Sequence, residues 1–141
     1  MAADEHDEQR ALAGAQAALE ELESGAEDAV KKYYAECNKR LMKLIELVLG
    51  KLSKEKRTKI IALITMDVHS RDVVQQLIDK KADGPMSFDW AKQLRFYWDR
   101  DQDDVVVRQC TGSFGYGYEY MGLNGRLVIT PLTDRCYMTL T

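Results

Sequence analysis

Phosphate-splitting chemistry needs a glycine-rich turn ending in Lys and then Ser or Thr. The turn's amides cradle the phosphates, the lysine neutralises them and the hydroxyl holds Mg²⁺. The nearest approach in this chain is Gly50-Lys51. No glycine stands five residues earlier, and Leu52 takes the place of the hydroxyl residue. Ala62-Leu63-Ile64-Thr65-Met66-Asp67 resembles an apolar strand ending on a metal-holding Asp, but no Glu follows and the surrounding pattern is helical. Without a phosphate cradle the chain is expected not to hydrolyse ATP by itself.

Other reactive residues are scattered. His69, Arg71 and Asp72 could form an active-site cluster, yet no nucleophile lies near, so a polar knot at a helix boundary is the simpler reading. His6 stands alone. Cys37, Cys110 and Cys136 are odd in number and far apart, without a Cys-x-x-Cys pair, which suggests reduced thiols, an intracellular setting and no zinc site. Leu94-Arg95-Phe96-Tyr97-Trp98 with Arg100 mixes arginines and aromatics as single-strand nucleic-acid readers do. Trp90, Leu94 and Trp98 stand at i, i+4 and i+8, so a core face of a helix is preferred and no nucleic-acid partner is expected.

The elements that must hold these residues read as helices first and a small mixed piece after. With 141 residues, 45% apolar and 30% charged, the chain suits one globular domain. No run approaches the ~18 apolar residues of a membrane span, and no membrane partner is expected. Residues 1–29 hold nine acids against Arg10, and residues 31–60 hold ten Lys or Arg against three Glu. The two segments could pair as a hairpin or meet charged partners, but two solvated helix faces are the simpler explanation.

Ala11, Leu12, Ala15, Ala18, Leu19 and Leu22 give a weak helical stripe that stops near Ser24-Gly25. Val30, Tyr34, Cys37, Leu41, Leu44 and Val48 form a seam spaced 4, 3, 4, 3, 4 and ended by Gly50. It is short for a coiled coil, so a packed bundle helix is favoured. Ser53 predicts an N-cap, and Ile60, Ile61, Ile64, Val68, Val74, Leu77 and Ile78 predict a helical face to about Lys81, with a possible break at 69–72. Ala82-Asp83-Gly84-Pro85 is a turn.

Beyond it, Ser87 caps an expected helix reaching Trp98, and residues 99–104 form a charged loop. Val105-Val106-Val107 is β-prone, and 113–120 alternates as a strand or extended edge does. A turn at 122–125, a short strand at 127–129 and a helix capped by Thr130-Pro131 complete the reading. Asp134 suits that helix's dipole, and Arg135 is expected to pair with a neighbour.

Several of these stretches together resemble dynein heavy chains, and the wording is nearer the axonemal type. The residues that carry the resemblance are Leu127-Val128-Ile129-Thr130-Pro131-Leu132-Thr133-Asp134-Arg135-Cys136-Tyr137, Tyr116 to Gly122, Phe88-Asp89-Trp90 with Gln93 to Trp98, and Asp67 to Val74. It covers about residues 28–141. It implies a mostly α fold, in which a helical linker segment precedes a small incomplete α/β piece, the N-terminal part of an AAA+ module. Residues 1–27 are then an unplaced acidic helix, 28–84 the linker end, and 85–141 the linker–ring junction and module start.

The resemblance further implies an ATP-driven microtubule motor of cilia and flagella, using ATP or ADP with Mg²⁺ in the full-length protein. No nucleotide is expected to bind this segment tightly alone. Leu127, Val128, Ile129, Thr130, Pro131, Leu132 and Thr133 would border the adenine. From residue chemistry alone, a strand and cap that merely pack the fold are favoured; the resemblance tips the reading to adenine. Implied partners are the remaining ring and linker, other axonemal subunits, and microtubules through a stalk this sequence lacks. The alternative is a short non-enzymatic interaction protein of the axoneme.

Overall fold

The computed structural model describes residues 2–26, 28–119 and 130–141, with side chains described from residue 13 onward apart from that of Pro131. Two compact units result, residues 1–87 and residues 88–141.

The first unit is a bundle of three helices, α1 (Ala2–Glu23), α2 (Ala29–Leu49) and α3 (Lys54–Asp79), each packed on the other two. Small residues let α1 come close. Ala15, Ala18 and Leu19 are buried, and a Cβ on Gly14 would sit 2.5 Å from the Tyr33 ring of α2. Gly25, at φ +107°, ends α1: its N–H reaches Leu22 O and the Ala26 N–H reaches Glu21 O, the paired bonds that a left-handed glycine permits. Lys81, at φ +52°, does the same for α3, with its N–H on Ile78 O and the Ala82 N–H on Leu77 O.

Gly50 ends α2 as expected, but in extended rather than left-handed geometry. The orphan carbonyls there are taken from the side: Arg57, in the first turn of α3, donates to Val48 O at 2.7 Å and Gly50 O at 3.2 Å. Ser53 caps α3 by accepting from the Lys56 N–H.

The α2 seam is buried at Val30, Cys37 and Leu41 and fades towards Leu47 and Leu49, which are exposed. Helix α3 runs unbroken through 69–72, so the possible break there is absent and His69 stands within the helix rather than at a boundary. The buried stripe is Met66, Asp67, Ser70, Val73, Val74 and Leu77, so two polar residues stand where periodicity looks for apolar ones. Ile61, expected on the face, is exposed.

Asp67 is tolerable in that stripe because Arg40 of α2 donates Nε to its carboxylate at 2.8 Å. Burial works against the Arg40 charge most strongly, but the hydrogen bond and charge of Asp67, with Tyr33 and Cys37, together outweigh it, so its pKa rises. Cys37 and Tyr33 lie beside the pair. Burial pushes the Cys37 thiol above its ordinary range despite the Tyr33 hydrogen bond. Burial, then Cys37, pushes the Tyr33 phenol up as well.

In the second unit, α4 (Phe88–Ala91) precedes a three-stranded antiparallel sheet in the order β1 (Arg95–Asp99), β2 (Asp104–Gln109), β3 (Gly112–Gly115). The helix expected to reach Trp98 therefore stops at Ala91. Phe96-Tyr97-Trp98 pairs instead with Val107, Val106 and Val105, a β-branched partner that helical spacing cannot reveal. Of the supposed i, i+4, i+8 face only Trp90 is buried, at 1% exposure. Leu94 is 47% and Trp98 58% exposed.

The charged loop is a hairpin turn in which the Asp99 carboxylate accepts from the Asp101 and Gln102 amides. After β3 the Tyr116 N–H still reaches Val105 O, but Tyr118 turns left-handed at φ +51° and the alternation ends. The expected turn at 122–125 and strand at 127–129 lie outside the described residues. Helix α5 (Pro131–Leu140) follows.

Two outcomes are expected. Asp67→Ala leaves the half-exposed Arg40 without its partner and should lower unfolding stability by about 1 to 2 kcal/mol, while Arg40→Met with Asp67→Leu should recover most of it, read by urea denaturation. The folded chain also holds the Cys37 and Tyr33 protons longer than the unfolded chain does. Their stabilisation is complete at neutral pH and declines as pH rises past the ordinary thiol value of ~8.5. Cys37→Ala should move the onset of the melting-temperature decline towards ~10, where Tyr33 takes over.

Candidate functional site

The expected site residues fall into two groups. Leu127, Val128 and Ile129 lie outside the described residues. Thr130, Pro131, Leu132 and Thr133 build the start of α5.

Thr130 is the N-cap, with extended backbone at φ −132°, ψ 160°. Its Oγ1 accepts from the Thr133 N–H at 3.2 Å, and Thr133 Oγ1 accepts from the Thr130 N–H at 2.8 Å. This reciprocal box satisfies two amides at once. Pro131 supplies none, having no N–H. The Asp134 N–H makes the first helical bond, to Thr130 O at 2.9 Å. Among the described residues the cap box and the first helical bond leave the Leu132 amide unengaged in this turn, and the Leu132 side chain is exposed. Asp134 and Arg135 are exposed on the same helix.

The other chemical candidates are dispersed. Gly50-Lys51 follows a helix, where a phosphate loop follows a strand. Asp67 is engaged by Arg40 inside the bundle. Arg71 pairs with its neighbour Asp72 at 2.6 Å in mid-helix. Cys37 is buried, Cys110 half-buried and Cys136 exposed, all as free thiols. Among the described residues no group of three or more His, Cys, Asp or Glu could hold a metal ion.

Residues 116–141, which include the capped start of α5, match the family model described as the hydrolytic ATP binding site of the dynein motor region. The chain is 50% identical over 119 residues to dynein axonemal heavy chain 10 of Homo sapiens, covering 84% of the chain and 3% of the relative. It is 55% identical over 101 residues to dynein axonemal heavy chain 2 of Mus musculus, covering 72% and 2%. It is 47% identical over 135 residues to the dynein-1-beta heavy chain, flagellar inner arm I1 complex, of Chlamydomonas reinhardtii, covering 96% and 3%. The chain belongs with the axonemal dynein heavy chains. It spans about 3% of the length of these relatives and corresponds to a segment of their motor region.

Within this dynein segment, sequence reasoning found the α5 cap and missed the Arg40–Asp67 pair and the arginines around Tyr97. The signal for the first was a carboxylate inside an apolar stripe; for the second it was Arg95 and Arg108 at equal distance from the hairpin turn. Thr130→Ala removes the cap acceptor and should cost about 1 kcal/mol of α5 stability. Faster amide exchange at Thr133 than in the unaltered chain checks this.

Proposed function

We propose that this segment forms the end of the dynein linker and the opening of the first AAA+ module, and that residues 127–133 border the adenine of ATP. Residues 28–84 are the linker end, 85–141 the junction and module start, and 1–27 an acidic helix that packs on the linker helices and that the resemblance leaves unplaced. The observation that carries the reading is the match of residues 116–141 to the dynein ATP-binding region, which includes the capped start of α5 and its exposed Leu132.

Val128, Ile129 and Pro131 supply apolar contact to the base, and backbone groups around Ile129 meet its polar edge. Thr130 and Thr133 hold the helix start rigid. The bound nucleotide supplies the anhydride that is split, with Mg²⁺ and the phosphates held by other parts of the full-length motor. The setting is the axoneme of a cilium or flagellum. The partners are the remaining ring and linker, other axonemal subunits, and microtubules reached through the stalk.

The pure chain should release no phosphate from Mg·ATP above buffer background, because it has no glycine–lysine nest. In the full-length motor, Val128→Glu should raise KM for ATP roughly 10- to 100-fold with kcat changed little, since a carboxylate replaces an apolar contact to the base. An unchanged KM would remove residue 128 from the pocket.

A further inference from the structure

The sheet of the second unit carries two rungs of like charge. In the β1–β2 register Arg95 stands opposite Arg108, and Asp99 stands opposite Asp104. Both rungs lie on one face, because residues two and four apart along a strand share a face, and Tyr97 and Val106 lie between them. Like charges directly opposite destabilise a sheet.

The acidic rung is absorbed locally. Asp99 accepts the Asp101 and Gln102 amides, and Asp104 accepts the Val105 amide and the Tyr118 hydroxyl at 2.7 Å. The Tyr118 hydrogen bond holds the Asp104 carboxyl below its usual range.

The basic rung is not absorbed in this way. Both guanidiniums lie over the Tyr97 ring, at 5.7 Å for Arg95 and 5.1 Å for Arg108. Arg95 is held in place, donating to Tyr97 Oη at 3.0 Å and Ala91 O at 3.3 Å, and its Nε is buried without a partner. Arg108 is exposed, and among the described residues neither arginine has an ion pair. Residues 120–129 contain no Asp or Glu that could supply one.

We propose that the Arg95–Tyr97–Arg108 face receives a carboxylate side chain from another polypeptide segment. The guanidinium of Arg108 offers the planar fork that pairs bidentately with a carboxylate, the ring beneath fixes its plane, and Arg95 adds a second positive charge. The acidic rung decides the class of partner. It stands four residues along the strand from the arginines, roughly 13 Å away. Asp101 and Asp103 add to it in the same turn. A polyanion such as a nucleic acid or an anionic membrane would be repelled by these carboxylates; a single Glu or Asp on a protein segment would not. The relatives are polypeptides of which this chain spans 3%, so other segments able to present that side chain are plentiful.

The test uses the 141-residue chain with ¹⁵N-labelled arginine and two peptides, acetyl-Ala-Ala-Glu-Ala-Ala-amide and its Gln counterpart. The Glu peptide should shift the Arg108 Nε–H resonance and the Gln peptide should not. R108Q should weaken Glu-peptide binding at least tenfold. R108K, which keeps the charge and loses the fork, should fall between. Removing one arginine also relieves the like-charge rung, so R108Q should melt at or above the temperature of the unaltered chain, which shows that lost binding is not lost folding. Equal shifts with both peptides, no shift with either, an affinity unmoved by R108Q, or a larger shift with inorganic phosphate at the same concentration would each overturn the proposal.

Discussion

The helical unit depends on one ion pair. Asp67 lies in the buried stripe of α3, and a lone carboxylate there would lose its hydration with nothing in return. Arg40 of α2 removes that penalty by a directed bond at 2.8 Å, and so fixes both the rotation and the axial register of α2 against α3. Apolar contacts such as Leu41 and Val74 tolerate sliding by a fraction of a turn; a guanidinium bonded to a carboxylate does not. Tyr33 and Cys37 follow on the same side of α2, and Gly14 allows α1 to close over the Tyr33 ring. All three helices thus converge on a polar cluster inside an apolar bundle.

That arrangement explains which parts of the fold were legible in the sequence. The α1 stop at Gly25, the α2 seam, the Ser53 cap and the Thr130-Pro131 cap are local signals, and each was found. The continuity of α3 was not, because its core stripe includes Asp67 and Ser70 and their partners lie on another helix. The aromatic run at 96–98 misled for a related reason. Its i, i+4, i+8 spacing fits a helix, while the valines that make it a strand come after the turn. Sequence pattern reports what a residue does to its own element, and these two errors concern what a distant element does to a residue.

The start of α5 shows how such a helix can serve a ligand without being spent on it. Two threonines satisfy each other's amides and a proline contributes none. The cap therefore holds the turn from within, so the border proposed for adenine would meet a helix start that is already fixed. The adenine assignment rests on this economy and on the match to the dynein ATP-binding region, while Leu127 to Ile129 complete the proposed border from sequence alone.

Arg57 joins two helices by a route other than the chain. Its guanidinium grips the last carbonyls of α2 from the first turn of α3, so the corner between them is determined twice, once by covalent bonds and once by a side chain. The two residues between Gly50 and the Ser53 cap, Lys51 and Leu52, are then released from setting the angle of the corner. Drift in their identity over evolutionary time leaves the corner's geometry intact as long as the arginine persists.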